Sequence, residues 1–277
     1  VPMLVKLMKY EFRATARLFL SAYGIFAALL VIDRLSISSL LFLSSTNLEF
    51  AKLLSAGAVF VLCILTVLAI FTLFFCPVLF SAIRFYRSTA TDEGYLTFTL
   101  PVKTELIILS KLLVALIWQI ATAVFAAALG VLFFMTFDLH STLDMLRLFP
   151  EGIVRTIVSH PSLGAYCVQF LLFAPIHAAY GILQAYSAVS IGQSCGRHKL
   201  LASIGIYIGM NFAVSFLSQV VAIPVTISML SAAGTGIRIL QDTLALNAAL
   251  SALLTAGLLA AQFFLCRYFL KKKLNLS

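Results

Sequence analysis

The chain has 277 residues, of which 62% are hydrophobic and only 10% are charged. Ordinary soluble domains are about 25% charged, and a soluble globule of this length could not bury so much apolar surface; the mean hydropathy is +1.09. This composition excludes a disordered chain, a nucleic-acid-binding domain and a disulfide scaffold. It indicates an all-α integral membrane protein whose surroundings are the lipid bilayer.

Six apolar runs are long enough to cross a membrane, because a spanning helix needs about 20 apolar residues. We therefore predict a single transmembrane domain over residues 1–277. The predicted spans cover residues 18–35, 54–83, 112–137, 162–191, 200–221 and 244–266.

Basic residues are distributed unevenly over the connections between these spans. Of the 19 lysines and arginines, 14 lie in the amino-terminal segment, the second-to-third connection, the fourth-to-fifth connection and the carboxyl tail. Short connections rich in lysine and arginine stay on the cytoplasmic side. The sequence therefore predicts that both termini are cytoplasmic and that the net charge of +9 reflects topology rather than an acidic partner.

Two connecting segments are amphipathic. Residues 3–17 place their basic side chains on one helical face and apolar ones on another, which predicts an interfacial helix before the first span. Residues 138–160 are predicted to form a short amphipathic helix, or two, on the external surface. Substrate capture there is an alternative to a plain interfacial lid.

Few side chains could carry chemistry inside the membrane. Asp33 and Arg34 stand at the outer end of the first predicted span, where they can pair with each other. His177 is the titratable candidate at depth, either as a packing residue or as a proton relay. Polar contacts along a pathway are possible at Tyr166, Gln169, His177, Tyr180 and Gln184, although each of these can equally be a packing residue.

No enzyme signature is present in the sequence. A phosphate-binding loop, an HExxH zinc motif and a GxSxG nucleophile motif are all missing, and no two cysteines form a CxxC pair. We expect no catalytic residue, no metal and no cofactor on this chain. If the protein moves a solute uphill, the energy must come from another chain.

The cytoplasmic segment 84–111 is the most informative stretch. It is polar for a few residues, offers Ser88, Thr89, Thr91 and Asp92 as candidate amino-terminal caps of a short helix, and then presents apolar side chains. Pro101 suits the first turn of the following helix, and Glu105 suits its positive end. Apolar groups in a cytoplasmic segment need cover, either in the groove of a partner protein or against the base of the same bundle.

This segment resembles the cytoplasmic loop of type-2 ATP-binding-cassette (ABC) export permeases. The matching positions are an acidic residue with glycine, a Pro-Val-Lys run and a later lysine, and the opening Lys9-Tyr-Glu-Phe-Arg13 is also similar. The residues that carry the loop resemblance are Glu93, Gly94, Pro101, Val102, Lys103 and Lys111.

The resemblance implies a coupling helix that docks on a separate cytoplasmic ABC ATPase subunit, which would hold ATP and Mg. It also implies a second permease copy or paralogue and an external re-entrant segment, here residues 221–243. Implied coupling residues are Asp92, Glu93, Gly94, Tyr95, Leu96, Phe98 and Pro101. A second contact is implied at Arg197, His198 and Lys199, for which anchoring to the inner leaflet is an equal alternative.

The leading hypothesis is the permease subunit of an ATP-driven exporter in a bacterial plasma membrane, moving an amphipathic peptide, lipid-like molecule or drug. Two alternatives remain. The chain can be a secondary carrier that acts alone, or a membrane scaffold without transport. Buried acidic residues would favour the carrier.

Overall fold

In the computed structural model, the residues described are 3–44, 49–90, 102–135, 139–159, 161–195, 198–232 and 237–274. All the regular secondary structure in these ranges is α-helical. The helices are α1 (Met3–Ser44), α2 (Glu49–Ala90), α3 (Thr104–Phe134), α4 (Leu139–Ser159), α5 (Pro161–Gly192), α6 (Lys199–Ala232) and α7 (Ile237–Leu274).

Five stretches of these helices are long and apolar enough to cross a membrane, which is the architecture of a multi-pass membrane protein. They are Met3–Leu40, Lys52–Thr89, Thr104–Phe134, Lys199–Ile223 and Ala249–Lys271. Helix α5, which contains the fourth predicted span, is not among the five in the described part of the chain. A sixth span therefore stays a prediction.

The faces of these helices that the chain leaves uncovered are strongly apolar. On α2, for example, Phe60, Leu68 and Phe71 are each more than half exposed. Exposed apolar area on this scale would be unfavourable in water, whereas hydrocarbon tails are as apolar as leucine. Lipid is therefore the medium that suits this surface.

The chain divides into two compact units. The amino-terminal unit comprises Lys9–Phe80 and Ile117–Pro150, and the carboxyl-terminal unit comprises Val1–Met8, Ser81–Leu116 and Glu151–Ser277.

In the amino-terminal unit, α1 and α3 run parallel and α2 runs antiparallel to both. For α1 and α3 the order of contacts is the same, because Tyr23 meets Thr122 and the later Leu30 packs in one cluster with the later Leu129. For α2 the order is reversed, because Phe19 contacts Phe80 and the later Asp33 bonds to the earlier Thr66. The buried members of that cluster are Leu30, Ile37, Leu73, Ala126, Leu129 and Phe133. The alternating directions agree with those predicted for the first three spans.

Trp118 on α3 organises the aromatic packing of this unit. Its ring stacks on Phe19 at 4.5 Å and on Phe12 at 4.9 Å between ring centroids. Its indole Nε1 donates a hydrogen bond of 2.9 Å to Thr15 Oγ1, so the polar end of the ring is satisfied.

In the carboxyl-terminal unit, α5, α6 and α7 pack against one another. Nine consecutive residues of α5, Ile182–Ser190, are buried. Because a helix turns through a full circle in 3.6 residues, burial of nine in a row means that α5 is covered on every side. It is the central helix of this unit.

The turn between α5 and α6 depends on a close approach at Gly192. A Cβ atom placed there would lie 2.7 Å from the Ser203 backbone nitrogen and Cα. Only glycine therefore allows the end of α5 to lie this close to α6.

The structure describes all or part of three segments that the sequence analysis singled out. Residues 3–17 are the first part of α1, which continues without a break into the first span, and their location at the membrane interface stays a prediction. The segment predicted to be external contains α4, a single amphipathic helix. In the segment predicted to re-enter the membrane, residues 233–236 lie outside the described residues, and the flanking residues belong to α6 and α7.

Candidate functional site

The predicted coupling residues lie outside the described part of the chain. Residues 91–101 are not described, and they include Asp92, Glu93, Gly94, Tyr95, Leu96, Phe98 and Pro101. What the structure gives is the pair of helix ends on either side of them. Helix α2 ends at Ala90 and α3 begins at Thr104, with Glu105 in its first turn as expected.

Of the four candidate caps, Thr91 and Asp92 lie outside the described residues, whereas Ser88 and Thr89 do not cap a new helix. Both residues belong to the last turn of α2, and both side chains are buried. Their hydroxyl groups donate back to the Phe85 carbonyl, at 3.1 Å from Ser88 and 2.7 Å from Thr89. Inside a helix, a serine or threonine hydroxyl can donate in this way to a carbonyl three or four residues earlier, although both residues are more favoured at helix starts.

The end of α2 is tied to the end of α5. Thr89 Oγ1 accepts a hydrogen bond of 2.7 Å from Gln193 Nε2, and both side chains are buried. Four residues earlier, Phe85 stacks on Tyr186 of α5 with ring centroids 4.2 Å apart. Both rings are about 1% exposed, so this contact is part of the packed interior.

The start of α3 is tied to the same group of helices. Glu105 forms an ion pair of 2.8 Å with Arg267 of α7. Tyr186 donates a long hydrogen bond of 3.4 Å to the Lys111 carbonyl. The end of α2, the start of α3 and the ends of α5 and α7 therefore meet at one end of the carboxyl-terminal unit, in agreement with the prediction that these ends share one side of the membrane.

A row of polar side chains joins α5 to α7 above this end. Ser187 donates to the Gln262 side-chain oxygen, and Ser190 pairs with the Cys266 thiol at 3.3 Å. All four side chains are buried. Since the later residue of α5 pairs with the later residue of α7, the two helices run parallel.

In the part of α5 that precedes Ser187, a cavity of about 280 Å³ opens between α5, α6 and α7. Its polar lining comes from His177, Tyr180, Ser218, Ser251 and Thr255. The structure therefore brings two of the predicted pathway residues together with three hydroxyl groups from two other helices. These groups are donors and acceptors without a permanent charge, and they suit an uncharged or weakly polar ligand.

The walls of this cavity are otherwise apolar. They consist of Val214, Val221, Leu254 and Leu258. Known ligand pockets have the same composition, a mostly apolar lining with a few convergent polar groups, and volumes of roughly 300–1,000 Å³. The cavity is at the small end of that range, which fits a small ligand or one end of a longer one.

One polar atom of the cavity lining, the Tyr180 hydroxyl, is buried and lacks a hydrogen-bond partner among the described residues. The Gln184 side-chain nitrogen, one turn later in α5, is also buried without a described partner, but Gln184 does not line the cavity. An unpartnered buried donor costs roughly 1–3 kcal/mol. A bound molecule that offers an acceptor oxygen would remove that cost.

The remaining predicted residues are not part of the cavity as described. Gln169 is half-buried on α5 away from the lining, and the Tyr166 side chain lies outside what the structure describes. Arg197 also lies outside the described residues, whereas His198 and Lys199 are exposed at the start of α6.

Asp33 lies further from the end of its helix than the sequence analysis placed it. Asp33 lies inside the candidate span Met3–Leu40, with α1 continuing to Ser44, and it accepts a hydrogen bond from Thr66 of α2. Of the described residues, no cation pairs with it, and its neighbour Arg34 is exposed. The expected Asp33–Arg34 pair is therefore not formed.

Comparison with models of known protein families, with curated proteins and with solved structures finds no match to this chain.

Proposed function

We propose that this chain is the permease subunit of an ATP-driven exporter of the ABC type. It would work with a second permease chain and with cytoplasmic ATPase subunits that hold ATP and Mg. The cytoplasmic segment 84–111 carries the proposal through its resemblance to the coupling loop of such permeases. Six spans with both termini inside a bacterial plasma membrane belong to the same proposal.

The contacts at the two flanks of that segment support a transfer of movement from a docked ATPase to the helices of the bundle. Its first flank, at Thr89, is hydrogen-bonded to Gln193 of α5, and its second flank, at Glu105, is paired with Arg267 of α7. Helices α5 and α7 also line the cavity. A movement of the segment by a docked ATPase would therefore reach the cavity walls through direct contacts.

The cavity lining supports an amphipathic substrate. Apolar side chains make up much of its wall, and its polar groups are hydroxyls, a phenol and an imidazole. Such a lining binds an apolar body with a few hydrogen-bonding atoms better than it binds an ion or a sugar. A lipid-like molecule, an apolar peptide or a hydrophobic drug has this chemistry.

Introducing or reversing a charge in the coupling segment tests whether this segment docks on an ATPase subunit. We expect Leu96→Asp and Glu93→Arg to abolish co-purification of a nucleotide-hydrolysing subunit with the full chain from native membranes. Lys271→Glu, an exposed charge reversal on α7, is the matched control and should leave co-purification unchanged. Equal recovery of the ATPase with all three variants would contradict the coupling assignment.

A specific observation favours a second candidate, a secondary carrier that acts alone. His177 lines the cavity and Asp33 lies within a membrane span, and both are groups that proton-coupled carriers use. Vesicles containing the purified chain alone separate the two functions. Solute accumulation driven by a proton gradient without ATP would favour the carrier and overturn the exporter.

A further inference from the structure

A second cavity, of about 250 Å³, lies in the amino-terminal unit and has an acidic side chain in its wall. Asp33 of α1 and Thr66 of α2 line it together with apolar residues of α1, α2 and α3. It is separate from the cavity formed by α5, α6 and α7, and its argument does not depend on the function proposed above.

Asp33 is held on the interior side of α1. Asp33 lies one turn after Leu30 and one turn before Ile37. The side chains of Leu30 and Ile37 both belong to the buried core cluster. The partner of Asp33, Thr66, is 7% exposed and lies 17 residues into α2. At 1.5 Å per residue, that is about 25 Å from the start of the helix.

An acidic group inside a candidate membrane span needs a reason. Ionisable residues within membrane spans are costly and usually mark a path or a binding site. Thr66 offers Asp33 one hydrogen bond, but the Thr66 hydroxyl also donates to the Leu62 carbonyl at 3.0 Å. Of the described residues, none supplies a positive charge to Asp33.

The rest of the wall decides what kind of cation fits. Metal ions such as sodium or calcium need about six oxygen ligands, and besides Asp33 and Thr66 the polar side chain in this lining is Ser36, which donates to the Ile32 carbonyl. Apolar residues supply the rest, among them Phe26 and Leu129. An aromatic ring and a carboxylate together attract an organic cation.

We propose that this cavity binds a small amphipathic organic cation, with Asp33 as the counter-charge of its ammonium group. The apolar part of the ligand contacts the leucine-rich wall. Leu29, Ile32 and Leu65 of this wall are about half exposed or more, so the ligand can enter from the lipid, where amphipathic amines accumulate.

A pair of ligands that differ only in charge tests the proposal. Benzyltrimethylammonium carries a permanent positive charge, and neopentylbenzene is its uncharged isostere. Binding of each is measured on the full chain in nanodiscs of zwitterionic lipid, with empty nanodiscs as the background. We expect saturable binding of the cation and at least a tenfold weaker binding of the isostere, and equal binding of both would overturn the proposal.

Three variants locate the binding. Asp33→Asn should raise the Kd of the cation roughly tenfold or more, because a buried charge loses its partner. Ala69→Phe should also weaken binding by filling the cavity. Arg34→Gln changes the neighbouring charge outside the cavity and should alter the Kd less than twofold. Binding that persists unchanged in both Asp33→Asn and Ala69→Phe would place the cation elsewhere and refute the assignment.

Discussion

Replacing Gly192 by alanine should loosen the junction between α5 and α6. The added Cβ would lie 2.1 Å from Ser203 Oγ and 2.7 Å from the Ser203 backbone nitrogen and Cα. Carbon atoms in contact are normally about 3.5–4.0 Å apart, so the two backbones must separate by about 0.8 Å or more. Overpacking of this kind costs about 1–3 kcal/mol, and the better helix propensity of alanine offsets less than about 1 kcal/mol.

The Cys266 thiol provides the assay, because it is fully buried between α5 and α7. In a background without the other four cysteines, a fluorogenic maleimide labels it only when the carboxyl-terminal unit opens. A loss of about 1–3 kcal/mol corresponds to roughly 5- to 150-fold faster labelling when reclosing outpaces the reaction.

A matched control lies in the same helix. Gly181 has no atom within 4 Å of the position of a new Cβ, so Gly181→Ala should label no faster than the parent chain. Ser203→Ala should rescue Gly192→Ala only in part, because it removes the hydroxyl but leaves the backbone atoms in place. Equal labelling of the two glycine variants would refute the reasoning.

Three further substitutions test other contacts. Gln262→Leu removes the acceptor of the buried Ser187 hydroxyl. The Cys266 labelling assay should report a stability loss of about 0.6–1.7 kcal/mol, and a gain in stability would contradict the assigned bond. Thr15→Val removes the acceptor of the Trp118 indole; because this is the single tryptophan, its emission maximum should move to the blue, and an unchanged spectrum would show that the bond is absent. Phe85→Ala removes one ring of a fully buried stack; thermal unfolding in detergent should show a loss of about 3–5 kcal/mol, and less than about 1 kcal/mol would mean that the stack is not packed as described.

Composition and hydropathy predict much of this architecture, but not where α1 ends. The adjacent charges of Asp33 and Arg34 interrupt the apolar run, so the sequence places them at the membrane boundary. The helix nevertheless continues to Ser44, and the serines that follow bond their hydroxyl groups to carbonyls of the preceding turn. Ser36 donates to the Ile32 carbonyl, and Ser38 to the Arg34 carbonyl.

The cavity shows a similar limit of prediction. His177 and Tyr180 are conspicuous in an apolar run, and both are found in the cavity lining. Ser218 and Thr255 gave no signal, because hydroxyl side chains occur throughout membrane helices and bond to their own backbone, as Thr255 does to the Ser251 carbonyl. Which of them face a shared space depends on how three helices pack, and spacing along the chain does not encode that directly.

The complete enclosure of α5 between Ile182 and Ser190 has a consequence for natural variation. A larger side chain anywhere in that stretch has no open side to move into, since every direction is occupied by packed neighbours. Among related chains, the amino-acid sequence of this stretch should therefore vary least. Ala185 and Ala188, which are 5% and 1% exposed, should accept only glycine or serine in their place.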